Sequence, residues 1–385
     1  MSEPTPFDMG LVQRGARNRR TPFYEATQRY GPRGFTVYNH MYFPINFDDF
    51  DAEHEHLLTK VTLWDVAVER NIEVSGPDGL KFAQLMTPRD LTRCEVGQGK
   101  YVLITAPDGG ILNDPVMIRP DENTFWFALA SSDVLFYAKG LQAYASLDVT
   151  VREVDASPVQ IQGPLSKDVV RDLFGEDVLN LRYYYFTRTE LDGIPVIVTR
   201  TGWTSEVGFE VYLLDHTRGV ELWEKIMAAG APYDIRPTGP SDIRRIEGGI
   251  FNWGADMTYD NNPFEMGLDR LVDFDMPGEC LAMPALSRIR DEGVSKRIVG
   301  VEMDGERFPA LNNVKWPVEH DGAKVGKVTS AIHSPRLDKN IGYAWLPVDL
   351  ADEGREILVH TEWGDRTATV VPMPFVDPGK MIPKS

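Results

Sequence analysis

Alternating apolar and polar residues, interrupted by turns, cover most of this 385-residue chain. A repeat every two residues is typical of half-buried strands, whereas apolar residues three or four apart indicate amphipathic helices. Strand patterns lie at 71–74, 101–105, 111–118, 124–130, 151–154, 159–162, 184–191, 194–199 and 209–213. Helix patterns lie at 49–59, 77–85, 131–144, 165–174 and 220–229. The mixture predicts α+β units rather than a strict alternation of strands and helices.

Two Asp-Gly turns separate strand patterns, at Asp108-Gly109 and Asp192-Gly193. Such turns favour β-hairpins, so the sheets that contain these strands should be antiparallel. From about residue 296 the chain has short strand patterns without a long helix, which predicts a small all-β domain. We therefore expect two α/β domains, 1–145 (which can be discontinuous) and 146–285, followed by a β domain at 286–385.

Composition narrows the class of protein. The formal net charge is −18, and clustered basic residues are what nucleic acids require, so we expect a small-molecule or protein partner and no nucleic acid. No apolar run approaches the length of a membrane span, so no membrane partner is expected. Two cysteines without a CxxC spacing fit a reducing cytoplasm. Residues 1–20 lack the apolar stretch of a secretory signal, although their arginines leave a transit peptide open.

The common catalytic and metal motifs are missing from the sequence, including GxGxxG, HExxH and GxSxG. His54-Glu55-His56 is the nearest approach to a metal cluster. Residues two apart do not share a helix face, so we expect no metal site.

Asp114 follows the first Asp-Gly turn, in a strand otherwise made of Ile, Leu, Val and Met. An acid there is either on the exposed face or held in a functional site, and the local pattern leaves both open. Glu210 and Tyr212 raise the same question, because they share one face of a strand. A carboxylate and a phenol together suit a nitrogen-rich heterocycle, whereas a solvent-facing strand is the alternative.

Six motifs occur in the order found in the glycine-cleavage T-protein (aminomethyltransferase) family, which this sequence resembles over nearly its whole length. They are Gly109–Asp114 after Tyr101, Ile161–Pro164, Thr201–Glu210, Arg245–Gly249, Asn262–Leu268 and Thr329–Gly342. The resemblance implies a three-domain T-protein-like fold with a C-terminal barrel or jelly-roll-like domain. It also implies tetrahydrofolate as the one-carbon acceptor.

Within that family the sequence is more similar to a branch that demethylates dimethylsulfoniopropionate. The residues carrying this similarity are Thr36–Met41, Trp64–Ala67, Leu85–Leu91, Asn113–Val116 and Ser132–Val134 before Ala138–Leu141. Trp203, Ser205 and Val207 depart from the loop typical of aminomethyltransferases. The resemblance therefore implies methyl transfer from a sulfonium to N5 of tetrahydrofolate. Aminomethyl transfer, another methyl donor and a non-catalytic folate-binding scaffold are the alternatives, and a homodimer is left open.

The resemblance assigns roles to individual residues. It implies folate contacts for Tyr101, Asp114, Glu206, Glu210, Tyr212 and Arg245. Asp114 would orient the folate and stabilise or accept the N5 proton, which makes it the catalytic candidate. A cationic donor favours an aromatic box, because rings attract cations by about 1–2 kcal/mol when desolvated. The candidates for that box are Tyr24, Tyr30, Tyr38, Trp64 and Trp203, each of which could instead be an ordinary core aromatic.

Overall fold

The computed structural model describes residues 15–385, which form two large, mainly antiparallel sheets with flanking helices, two small two-stranded sheets and a closed barrel. The α-helices are α1 (Tyr24–Gln28), α2 (Phe50–Thr59), α3 (Gly79–Met86), α4 (Val134–Tyr144), α5 (Ser166–Phe174), α6 (Gly219–Gly230), α7 (Asp242–Glu247) and α8 (Met283–Glu292). Within these residues, none of the helices is long and apolar enough to cross a membrane.

The strands are β1 (Gly34–Tyr38), β2 (Met41–Asn46), β3 (Thr62–Asp65), β4 (Arg70–Ser75), β5 (Gly99–Tyr101), β6 (Ile104–Thr105), β7 (Ile111–Asn113), β8 (Val116–Asp121), β9 (Thr124–Leu129), β10 (Thr150–Glu153), β11 (Ser157–Gln162), β12 (Phe186–Leu191), β13 (Ile194–Thr199), β14 (Gly208–Leu213), β15 (Arg236–Pro237), β16 (Lys296–Met303), β17 (Trp316–His320), β18 (Ala323–Ser334), β19 (Lys339–Pro347), β20 (Glu356–Thr361) and β21 (Gly364–Val371).

The first sheet has five strands in the order β10-β4-β9-β8-β5, and all its pairs are antiparallel. Alternate residues of β4 and β9 point to one side, where Ile72, Val74, Phe125 and Phe127 form a core with α3 and α4. The other side of β9 carries Trp126, which packs towards the second sheet.

The second sheet has the order β12-β13-β14-β11-β3-β15 and is antiparallel except for the edge pair β15–β3. One face packs on α5 and α6 through residues such as Phe209, Val211 and Trp223. The opposite face carries Ile197 and Tyr212, which meet Trp126 of the first sheet. The two sheets therefore pack against each other through part of their inner faces.

The C-terminal strands close a barrel in the order β16-β19-β18-β17-β20-β21. Its interior is filled by side chains, among them Val301, Trp316 and Val359. Helix α7 leans on the outside of β18 and β19, where Tyr343 donates its hydroxyl to the Arg245 and Ile246 carbonyls at 3.2 and 3.1 Å. The barrel is thereby attached to the helical segment after the second sheet.

The α+β class, the antiparallel sheets and the C-terminal barrel are confirmed. The borders at 145 and 285 stay predictions. Strand β3 lies in the N-terminal part of the chain yet belongs to the second sheet, so residue 145 does not separate the two sheets. The periodicity of a single strand cannot reveal this, because sheet membership depends on contacts distant in sequence.

Candidate active site

A cavity of ≈ 1890 Å³ lies where the two sheets, the α7 segment and the barrel meet. The residues that line it include the acids Asp114 and Glu69 and apolar side chains such as Val66 and Val68. Basic side chains line it as well, namely Arg89, Lys100, Arg270, Arg290, Arg297, Lys380 and Lys384. The cavity therefore combines a partly apolar interior with charges of both signs, as small-molecule sites usually do.

Asp114 and Tyr101 form a hydrogen-bonded pair on the cavity wall. The Tyr101 hydroxyl donates to Asp114 Oδ2 at 2.9 Å. Burial raises the pKa of Asp114 to about 7, although the bond from Tyr101 acts in the opposite direction. A carboxyl group that titrates near neutrality can either hold or accept a proton. The exposed-face alternative for Asp114 is therefore wrong.

Asn113 fixes the corner between β7 and β8 from which Asp114 projects. Its amide nitrogen donates to Ser132 Oγ at 2.8 Å and to the Ala130 carbonyl at 3.2 Å, and its oxygen accepts from Ala130 N at 3.1 Å. Asn113 is fully buried, so these bonds are protected from water. Asn113 therefore positions Asp114, the next residue in the chain.

Three of the five predicted aromatic residues lie on this wall: Tyr38, Trp64 and Trp203. Tyr38 stands at the end of β1, with its ring 6.0 Å from that of Phe43, which also lines the cavity. The Trp64 indole donates to Thr62 Oγ at 2.6 Å, so its ring orientation is fixed. These residues come from different elements, and only the tertiary structure assembles them.

Tyr24 and Tyr30 are not among the residues that line the cavity. Tyr24 packs on the rings of Phe35 and Tyr42, with centroid distances of 6.0 and 5.9 Å. Tyr30 donates its hydroxyl to Glu224 Oε2 at 2.8 Å and packs on the core of the second sheet. Tyr24 is buried and Tyr30 is partly buried against the core, and neither lies in the cavity, which corrects their assignment to the donor site.

Glu210 and Tyr212 do share one face of β14, and both are buried, so a solvent-facing strand is wrong. Glu210 stands beside Gln160 and Thr199 in neighbouring strands and accepts from Gln160 Nε2 at 2.8 Å. Thr201 also donates to its carboxylate. Neither Glu210 nor Tyr212 is among the residues that line the cavity, although Glu210 is close enough to the lining residue Glu69 to raise its pKa.

Glu206 and Arg245 lie in ion pairs away from the lining. Glu206 accepts from Arg244 Nε at 2.7 Å, which ties the loop before β14 to α7. Arg245 donates to Asp242 at 2.6 Å, to Asp256 at 2.9 Å and to Ser330 Oγ at 3.0 Å. Its three nitrogens are thereby engaged, which corrects the expectation that Arg245 is available to a ligand.

The sequence patterns missed several residues of the wall, above all Glu69, Tyr183 and Tyr184. The Tyr183 and Tyr184 rings meet edge to face at 4.7 Å, and Tyr184 has a left-handed φ of 67°. Strain of this kind costs about 1–3 kcal/mol and is commonest at functional sites. An acid directly after the apolar run Val66-Ala67-Val68 is the sequence signal available for Glu69.

Among residues 15–385 there is no group of three or more His, Cys, Asp or Glu side chains that could hold a metal. His54 Nε2 lies 3.3 Å from Glu247 Oε1, and His56 Nε2 lies 2.7 Å from the Asp234 carbonyl. The two histidines therefore contact different neighbours.

Two sheets and a closed barrel thus surround one cavity. The pattern of the GCVT N-terminal domain matches residues 11–276, and that of the glycine cleavage T-protein C-terminal barrel domain matches residues 296–377. The chain therefore belongs to the glycine cleavage T-protein family.

Individual relatives span almost the whole chain. Dimethylsulfoniopropionate demethylase DmdA of Ruegeria pomeroyi is 36% identical over 94% of this chain and 98% of its own length. An aminomethyltransferase of Bacillus mycoides is 30% identical over 93% and 98%. The solved aminomethyltransferase T of the glycine cleavage system from Bartonella henselae superposes with a TM-score of 0.83 at 23% identity, covering 93% and 98%. That last likeness concerns the fold alone.

Proposed function

We propose that this protein transfers a methyl group from dimethylsulfoniopropionate to N5 of tetrahydrofolate. The products would be methylmercaptopropionate and 5-methyltetrahydrofolate. The observation that carries the proposal is that one cavity holds both the Tyr101–Asp114 pair and the aromatic side chains of Tyr38, Trp64 and Trp203. The 36% identity to a dimethylsulfoniopropionate demethylase supports this donor over others.

The reaction needs little chemical activation, because a sulfonium is already a good leaving group. The N5 lone pair forms the new N–C bond while the C–S electrons leave with sulfur. The protein must align N5, the methyl carbon and sulfur, and such alignment lowers a barrier substantially. The methylated N5 then loses its proton, for which the Asp114 carboxylate is the candidate acceptor. Asp114 and Tyr101 would also orient the reduced pterin through its N–H groups.

The predicted residues that do not line the cavity have supporting roles in this proposal. Glu210 holds Gln160 and Thr201, next to the Gly202–Trp203 part of the lining. Folate contacts by Glu210 and Tyr212 stay predictions. Glu206 and Arg245 would instead act through the loop and helix that they fix.

Isotope transfer tests the proposal directly. Purified protein is incubated with tetrahydrofolate and dimethylsulfoniopropionate deuterated at both S-methyl groups, and the folate is analysed by mass spectrometry. We expect trideuteromethyl-folate and methylmercaptopropionate in equal amounts. Asp114→Asn is expected to lower the rate by roughly 100-fold, since positioned proton acceptors typically contribute this much or more.

Three other outcomes would each reject the proposed donor reaction. Folate-dependent release of ammonia from an aminomethyl-lipoyl protein, without methylfolate, would indicate an aminomethyltransferase. Methylfolate from a different sulfonium or ammonium compound would indicate another demethylase. Folate binding without any product would indicate a non-catalytic scaffold.

The cytoplasmic location and the homodimer are separate predictions. Both cysteines, Cys94 and Cys280, are free and buried, which supports a reducing compartment. Light scattering of the purified protein would measure the oligomeric state.

A further inference from the structure

Glu69 lies in the short connection between β3 and β4, where the chain passes from the second sheet to the first. Its amide donates to the Val66 carbonyl at 2.9 Å, which closes a turn. Asn39 Nδ2 donates to the Val68 carbonyl at 2.9 Å and holds this turn from the β1–β2 hairpin. The backbone of Glu69 is therefore fixed at the junction of the sheets.

The Glu69 side chain is largely buried, and its remaining surface faces the cavity. Across residues 15–385 its carboxylate has no hydrogen bond or ion pair to a protein side chain. Burial raises the pKa of Glu69 well above its usual range, and the neighbouring Glu210 and Asp114 add to this. By contrast, the nearby Glu73 is paired with Arg152 at 2.8 Å and Trp126 at 2.8 Å.

In the empty protein, burial and the two neighbouring acids favour the protonated form of Glu69, because an ionised carboxylate without a partner would not recover its lost hydration. A cation bound in the cavity would supply that partner and stabilise the ionised carboxylate. The surrounding wall suits an alkylated cation, since Tyr38, Phe43 and Trp64 present rings and Val66 and Val68 present methyl groups. Such a wall favours sulfonium or quaternary ammonium groups over strongly hydrated ones.

Charges of both signs line the cavity. Glu69 and Asp114 are the acids near Glu210, and Arg89, Lys100 and five other basic residues also belong to the lining. A zwitterionic donor would gain at both ends by placing its cation at the acids and its carboxylate towards the bases. An analogue that keeps the carboxylate but lacks the positive charge would gain only at the basic residues.

We propose that Glu69 selects a positively charged methyl donor by ion pairing with its sulfonium or ammonium centre beside Tyr38 and Trp64. This rests on the proposed methyl transfer, and it makes Glu69 a positioning residue rather than a base. During transfer the positive charge moves from sulfur to N5, so it stays opposite Glu69 until the N5 proton leaves. The thioether product carries no cation and loses this attraction.

Calorimetry without folate tests the proposal, because no methyl acceptor is present and the ligands stay intact. Dimethylsulfoniopropionate is compared with 4-methylpentanoate, in which carbon replaces the sulfonium sulfur. Glycine betaine is compared with 3,3-dimethylbutanoate in the same way. We expect at least one of the two zwitterions to bind about tenfold or more tighter than its analogue, which keeps the carboxylate but lacks the positive charge. In Glu69→Gln this preference should fall to within about threefold, with tetrahydrofolate affinity changed less than about twofold.

Glu73→Gln is the matched control, since Glu73 lies four residues along and does not line the cavity. It should keep the full preference for the cation. Glu69→Gln should melt at the same or a higher temperature than the wild type, because it removes a buried acid whose ionised form has no partner in the absence of a cation. Equal binding of both cations and their neutral analogues by the wild type, or an unchanged preference in Glu69→Gln, would overturn the role of Glu69. A preference for betaine alone would keep that role and reject dimethylsulfoniopropionate as the donor.

Discussion

At the scale of single residues, the site depends on carboxylates whose surroundings differ. Asp256 and Glu206 are buried in ion pairs with Arg245 and Arg244, and they hold structure together. Asp114 accepts one hydrogen bond from a neutral phenol, and its pKa is raised to about 7 by burial. A buried carboxylate therefore either stabilises the fold through an ion pair or titrates near neutrality, according to whether a positive charge lies beside it.

The raised pKa of Asp114 predicts a pH dependence of methyl transfer. If ionised Asp114 accepts the N5 proton, kcat/KM should rise with pH up to about 7 and level off above it, because the ionised fraction of the free enzyme does so. Rates measured between about pH 5.5 and 8.5 would show this limb. Glu69, Tyr101 and Asp256 also influence the group electrostatically, so the midpoint belongs to the whole cluster.

Tyr101→Phe provides the control for this profile. It removes the hydrogen bond that lowers the pKa of Asp114, so the midpoint should move to higher pH by about one unit. A profile that is flat in the wild type, or a midpoint unmoved in Tyr101→Phe, would rule out Asp114 as the titrating group.

At the scale of elements, two sequence motifs interlock around Gln162. Its amide donates to the Thr201 and Phe209 carbonyls at 3.2 Å each and accepts from Thr204 Oγ at 2.7 Å. A methyl group on Gly202 would lie 2.2 Å from this amide, and one on Gly208 would lie 2.4 Å from it. The glycines are therefore needed for close approach, and the loop carrying Trp203 takes its shape from Gln162.

Gly208→Ala is expected to displace the Gln162 amide and lower the free energy of unfolding by about 1–3 kcal/mol, since overpacking a buried site costs this much. Urea denaturation would measure the change, and trideuteromethyl transfer should fall with it as Trp203 moves. Gly140→Ala is the control, because its new methyl group meets nothing within 4 Å. It should be neutral or stabilise α4 by up to about 1 kcal/mol. Equal stabilities of the two variants would contradict this packing account.

The local elements were largely predictable from the sequence. The helix expected at 49–59 is α2, and Asp49 caps it by accepting from Asp51 N and Ala52 N. The turn at Asp192-Gly193 joins β12 and β13 as a hairpin. Asp78 does not cap α3; it accepts from Asp148 N instead. That partner is seventy residues away, so local pattern could not reveal it.

At the scale of the whole molecule, α7 connects the sheets to the barrel. Glu247 accepts from Ser334 Oγ of the barrel at 2.5 Å and lies 3.3 Å from His54 of α2. Asp256 accepts from Arg245 of α7 and, at 2.5 Å, from Ser330 Oγ of the barrel. Because the cavity is lined from both sides of this junction, its shape depends on these buried contacts.

Asp256→Ala should therefore destabilise the assembly by about 3–5 kcal/mol, because it leaves the buried Arg245 guanidinium short of a partner. The free energy of unfolding from urea denaturation would show this loss. Asp365→Ala removes an exposed ion pair with His360 on the barrel and should cost less than about 1 kcal/mol. Similar losses in the two variants would mean that the junction contributes little.

The sequence by itself determined the kinds of element, their order and the family, because these depend on periodicity, turn residues and motifs along the chain. Its motifs also marked Asp114 as a candidate acid. The tertiary structure alone decided which side chains meet. It placed Tyr38, Trp64 and Trp203 in the lining of one cavity, left Tyr24 and Tyr30 outside it, and engaged Arg245 in ion pairs. It also placed Glu69 in the lining of that cavity. Burial and ion pairing are set by neighbours distant in sequence, so no local pattern carries them.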